Sequence, residues 1–279
     1  MTRFEIVFVA VLAVIWIPGG LALARVWSEV EYASHGFIVP LVALWIATAH
    51  RVRLAQLESR PSPAGLVGLG LAALLYLSAL ALKDATLIGL AAVATVSFSL
   101  LALRGVEWVR TLSFSLAYLL FMVPLPAHWV TPLIVQLQIF VSSTAVSLLQ
   151  DAGVAIYREG NVLTLPGGKD LFVAEACSGI TSLITLIPIG AIIAYFMEVR
   201  LARRLALVAA VLPIALTGNL LRVLLTVLLA IQVDVEFVTE GPLHEWTGIG
   251  SYVIGCLALL GVSALMRQLW PDPAIPEGA

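Results

Sequence analysis

Cys177, Arg222 and His244 are the polar residues of this chain that side-chain packing explains least. Cys177 stands immediately before Ser178-Gly179-Ile180-Thr181, a helix start with Ser178 as its N-cap. A helix's first turn leaves backbone N–H groups unpaired and carries partial positive charge, which favours a thiolate and suits a nucleophile. A small buried thiol is the plainer reading of that position, since free cysteines are among the most buried residue types. Arg222 interrupts the apolar run 205–231, where an arginine near the middle of a span costs about 2.5–3.5 kcal/mol to insert and therefore faces the protein interior. Asn219 and Thr226, three residues before and four after, share its helical face, so a polar stripe points inward. A structural ion pair is the alternative role. His244 lies in Gly241-Pro242-Leu243-His244-Glu245-Trp246 at the start of another apolar run, where an imidazole can move a proton near neutral pH or simply mark the membrane boundary beside Trp246. His35, His50 and His128 are weaker candidates.

The elements that must carry these residues are membrane helices. The chain is 61% hydrophobic and 11% charged, with mean hydropathy +1.05. Ordinary soluble domains are roughly a quarter charged. A net charge of −2 and a pI near 6.1 supply no electrostatic reason for a nucleic-acid partner. Cys177 and Cys256 are the only cysteines, and Cys256 sits inside an apolar run, so no disulfide framework is expected. Residues 5–24 are followed by Arg25, Glu29 and Glu31 without a small-residue cleavage site, and read as a retained span. Apolar runs at 5–24, 36–49, 64–82, 86–103, 111–126, 178–197, 205–231 and 247–266 are the expected spans of a single polytopic domain over 1–279. The segment 129–150 is also apolar, yet it holds Gln136, Gln138, Ser142, Ser143, Thr144, Ser147 and Gln150.

Arginine placement orders these runs. Arg3, then Arg51, Arg53 and Arg60, then Arg104 and Arg110, then Arg200, Arg203 and Arg204, and finally Arg267 mark cytoplasmic segments. All of them fall on one side only if 129–150 does not cross. The expectation is an all-α membrane protein with eight crossings, both termini cytoplasmic, and 129–150 as an interfacial or re-entrant helix within an external segment 127–176. In 151–176, turns at Glu159-Gly160-Asn161 and Pro166-Gly167-Gly168 separate short runs, which predicts a small external β element. Residues 270–279, with three prolines, read as a loose tail. A cysteine placed at 163 should then be alkylated from outside and one at 202 should not.

This topology, derived without reference to the three polar residues, brings Cys177 and His244 to the outer side, with Arg222 approaching from within. A thiolate attacking a carbonyl, a histidine protonating the leaving amine and a guanidinium holding the oxyanion make an acyl-transfer constellation. No HExxH or paired CxxC spacing, no GxSxG elbow and no glycine-rich phosphate loop is present in the sequence, and no metal or cofactor is expected.

At these residues the chain resembles the exosortase/archaeosortase family of multi-pass cysteine transpeptidases. The matching pieces are Val173-Ala174-Glu175-Ala176-Cys177-Ser178-Gly179-Ile180, then Gly218-Asn219-Leu220-Leu221-Arg222, then His244 with Gly248. Tyr32-Ala33-Ser34-His35-Gly36-Phe37 followed by Pro40 is similar to the family's early Ser-His-Gly signature. The resemblance implies Cys177 as nucleophile, Arg222 as oxyanion stabiliser and His244 as general acid/base, supported by Glu175, Ser178, Gly179, Asn219 and His35. Histidine at the third position favours the bacterial branch. It also implies partners: exported proteins with a C-terminal tail made of a short motif such as Pro-Glu-Pro, one transmembrane helix and a basic cluster. The cleaved protein would pass to an envelope glycan or lipid acceptor. Glu58 or Glu198 would be available to receive the basic cluster. The rival reading is a transporter or assembly subunit for an envelope polymer such as exopolysaccharide, with Arg222 and Asn219 lining a path.

Overall fold

The computed structural model describes residues 3–160, 162–172, 180–233, 238 and 242–271. The fold is all-α membrane protein, 82% helical with one small sheet, and it divides into two units, Met1–Ala127 and His128–Ala279.

In the first unit, α1 (Arg3–Ile15) and α2 (Ile17–Glu29) meet at a 54° bend. Pro18 lacks the N–H that would continue the ladder, and helices bend where that bond is lost. Tyr76 fastens the bend: its hydroxyl accepts from Gly19 N (3.1 Å) and donates to Ile15 O (2.9 Å), while its ring lies 4.1 Å from that of Trp16. A 3₁₀ turn (Glu31–Phe37) leads into α3 (Val39–Ala49), then α4 (Arg51–Gln56), α5 (Pro63–Leu82) and α6 (Ala85–Arg104). α5 and α6 pack closely because Gly65 has no side chain. A Cβ there would collide with the backbone of Ala102. The unit closes with α7 (Val106–Thr111), α8 (Ser113–Tyr118) and a 3₁₀ turn (Leu119–Met122).

Four side chains tie down the carbonyls that follow. Trp27 Nε1 donates to Met122 O (3.0 Å), His35 Nε2 to Phe121 O (3.0 Å), Thr86 Oγ1 to Pro124 O (2.7 Å) and Tyr32 OH to Leu125 O (3.5 Å). The carbonyl can only accept, so His35 carries its proton on Nε2 here. Gly36 is required beside it, since a Cβ would overlap the indole of Trp27.

In the second unit, α9 (Ala127–Asp151) precedes the antiparallel sheet β1 (Tyr157–Glu159), β2 (Val162–Thr164) and β3 (Asp170–Phe172). The second predicted turn is made by Gly167 and Gly168, both at positive φ (92° and 76°), where other residues are strained. Three helices complete the unit: α10 (Ile180–Met197), α11 (Leu201–Gln232) and α12 (Pro242–Leu269). Leu163, Leu165 and Leu171 pack with Val141 and Ala145 of α9 and with Val223, Val227 and Ala230 of α11.

Among the described residues, six helices are long and apolar enough to cross a membrane, and seven if α1 and α2 form one bent span, where the sequence predicts eight. The difference lies in two places. The apolar run 111–126 contains an interrupted helix that departs from α geometry at Leu112 and tightens to 3₁₀ at Leu119, and Pro124 then holds Val123 extended (ψ 118°). The expected span 178–197 corresponds to α10, an 18-residue apolar helix whose start adjoins residues outside the described ones, so that count does not weigh it. α9 is among the six, so its length and hydropathy suit a crossing as well as the expected interfacial position. The expected labelling site at 163 needs correction: Leu163 is fully buried in the sheet core, whereas Tyr157 on β1 is 75% exposed.

Candidate active site

α11 is a 32-residue helix, about 48 Å at 1.5 Å per residue, longer than the roughly 30 Å apolar core of a bilayer. Its N-terminal end is charged with Arg203 and Arg204. Arg222 follows Arg204 by 18 residues, about 27 Å along the axis, a distance close to the thickness of that core. Asn219 (2% exposed), Val223 and Thr226 are buried on the same side of the helix. The predicted inward stripe is present.

What Arg222 reaches is α12. A Cβ built on Gly248 would stand 3.3 Å from Arg222 Nη2 and 3.7 Å from Cζ, so the guanidinium lies flat against the place where any other residue would carry a side chain. His244 lies in the first turn of α12, four residues before Gly248, which puts both on one helical face about 6 Å apart along the axis. The side chain of His244 is outside the described residues. Gly248→Ala should force the guanidinium to move by a few tenths of an ångström. If Arg222 serves the acyl transfer expected from the sequence, that activity should fall about tenfold with thermal stability nearly unchanged, measured on the purified variant alongside the wild type.

Cys177, Glu175, Ser178 and Gly179 lie outside the described residues. Flanking elements bracket them: β3 ends at Phe172, packed through its sheet against α11, and α10 begins at Ile180. His35 belongs to the first unit and has the carbonyl of Phe121 as partner, which makes it a fastening residue there. Cys256 packs in the apolar cluster of α10, α11 and α12, as its position in an apolar run implies.

One charged site was not legible beforehand. Glu198 and Arg203 are 1% and 0% exposed and paired at 2.8 Å (Oε2 to Nε). Ser263 Oγ donates to Glu198 Oε1 (2.5 Å), Arg203 Nη1 to Trp270 O (3.0 Å) and Arg204 Nε to Glu198 O (2.7 Å). This knot ties the α10–α11 junction to the end of α12. It also corrects the expectation that Glu198 is available to a substrate's basic cluster: both of its oxygens are engaged inside the protein. Glu58 is exposed but already paired with Arg60 at 3.0 Å.

The sequence profile of the transmembrane exosortase family matches residues 27–261, most of the chain. The chain belongs to the transmembrane exosortase family. That membership carries a general role with it, since exosortases are a family of sorting transpeptidases and proteases acting in membranes. The match runs from residue 27 in α2 to residue 261 in α12, so it spans Cys177, Arg222 and His244 together. No curated protein and no solved structure matches the chain.

Proposed function

We propose that this exosortase is a cysteine transpeptidase that cleaves the C-terminal sorting tail of exported proteins and hands the new carboxyl end to an acceptor in the cell envelope. The observation that carries the proposal is the guanidinium of Arg222 lying on the face of α12 that bears His244. In the proposed reaction the Cys177 thiolate attacks the scissile carbonyl carbon, and Arg222 donates hydrogen bonds to the oxyanion that forms. The tetrahedral intermediate collapses, the C–N bond breaks, and His244 gives its proton to the departing amine. The thioester is then attacked by an acceptor amine or hydroxyl, which loses its proton to His244, and the thiolate is released. The residues do this without a cofactor.

Sorting tails that themselves cross the bilayer would meet such a site where a membrane helix gives way to water. We place the site on the outer face of the cytoplasmic membrane, with both termini cytoplasmic and α9 interfacial or re-entrant. Two supports are the arginine distribution and the in-unit geometry of α11. The sheet packs on residues 223–230, whereas Ala202 stands about 37 Å away along the helix from Val227. In right-side-out cells, a cysteine at Tyr157 should be alkylated by an impermeant maleimide and a cysteine at Ala202 should not. The reverse pattern would invert the site.

The activity is tested by mass spectrometry of exported proteins from cells carrying the wild type or Cys177→Ala. New C-termini or attached groups near the tail motif should be present only with the wild type. A transporter for an envelope polymer would tolerate the conservative Cys177→Ser change, whereas the transpeptidase would not.

A further inference from the structure

The first unit contains a cavity that the proposed acyl transfer does not use. It measures about 730 Å³ and lies between α1, α3, α6 and α8, within the size range of small-molecule sites. Its walls are apolar, and Val9, Leu44 and Val96, all exposed, form part of its open edge. Charge occurs among its lining residues at Glu5 and Arg104 alone, which pair at 3.0 Å and close one end.

Its depth is informative. From Glu5 to Trp16 along α1, and from Ala92 to Arg104 along α6, the cavity spans about 16–18 Å. That is one leaflet, since the full apolar core is roughly 30 Å thick. A transmembrane helix would need twice this length of groove; an acyl chain needs no more.

The rim states what sits above the chain. The pair has no net charge, and Arg60 and Arg110 at the same end of α6–α7 are matched by Glu58 and Glu107 (3.0 and 2.8 Å). An anionic headgroup would gain a guanidinium but face a carboxylate. A zwitterionic headgroup with a primary ammonium meets both, phosphate to Arg104 and ammonium to Glu5, each through charge-assisted hydrogen bonds. Five residues below Arg104, Ser99 lines the cavity, and its buried hydroxyl makes no hydrogen bond among the described residues. An ester carbonyl beneath the phosphate would supply its acceptor.

We infer that this cavity binds one aminophospholipid of the phosphatidylethanolamine type, in the leaflet on the side of Arg60, Arg104 and Arg110, with an acyl chain along α1 and α6. The ligand stabilises the first unit by filling the space that α1, α3, α6 and α8 leave between them.

Native mass spectrometry of the full chain, loaded in turn with phosphatidylethanolamine, phosphatidylcholine and phosphatidylglycerol of equal acyl length, tests this. The ethanolamine lipid should be retained about tenfold over the other two, with a matching rise in Tm. The double variant Glu5→Gln/Arg104→Gln should remove the preference, and Ser99→Leu, which fills the cavity while leaving the ion pair intact, should lower retention of all three. Equal retention of the three lipids would overturn the inference, leaving only a gap that any bilayer fills. Preference for the glycerol lipid, or displacement of lipid by a transmembrane peptide or by self-association, would overturn it as well.

Discussion

Cys177→Ala should abolish tail processing while leaving the chain inserted and folded. Deleting a nucleophile that works with a base and an oxyanion donor costs on the order of 10⁶ in kcat in a serine peptidase, and the same logic applies to a thiol. Cys177→Ser should remain inactive at neutral pH, because a hydroxyl left without a matched base ionises far less than a thiol. Arg222→Ala should lower kcat by about 10²–10³, the cost of one lost oxyanion donor, with a much smaller effect on KM. Arg222→Lys should recover part of it, since a lysine supplies charge but not the planar guanidinium that lies against Gly248. Cys256→Ala, in the apolar cluster of α10, α11 and α12, should process normally. Initial rates on a purified substrate tail, with thermal unfolding as the control, measure all five variants.

Glu198→Ala should be among the most destabilising single changes in the chain. It would take from Arg203, 0% exposed, the carboxylate that Nε meets in the interior, and would strip Ser263 of its acceptor. Breaking a buried ion pair from one side costs about 3–5 kcal/mol, whereas replacing both partners with apolar residues of similar volume is often neutral. Glu198→Ala and Arg203→Ala should therefore each lower the unfolding midpoint sharply, and Glu198→Leu/Arg203→Met should restore most of it. A double-mutant cycle on thermal unfolding of the purified chain reads the coupling. Because the knot joins the α10–α11 junction to the end of α12, its loss should also weaken processing through the helices that present Arg222 and His244.

Much of the fold is legible in the sequence because the bilayer imposes a simple rule of length and hydropathy. The helices Pro63–Leu82 and Ala85–Arg104 lie within one residue or two of the apolar runs that predict them. The β element was legible from its glycine turns, and Arg222 from the improbability of its position. The rest depends on tertiary contacts that no local pattern encodes. The break at Leu112, between α7 and α8, falls in a run that no proline or glycine marks. Arg203 counts as an ordinary loop arginine until Glu198 is seen folded against it. Likewise, Gly248 is only a spacing until the guanidinium of Arg222 is found beside it, and His35 is only a motif residue until the carbonyl of Phe121 meets its ring.

The central claim is a covalent one, and intact mass of the purified chain during turnover of a sorting-tail substrate measures it. The account predicts an adduct equal to the substrate's N-terminal portion, mapped to Cys177, released by hydroxylamine and missing from Cys177→Ala. Continued cleavage by Cys177→Ala, or turnover by the wild type with the adduct on another residue, would contradict it.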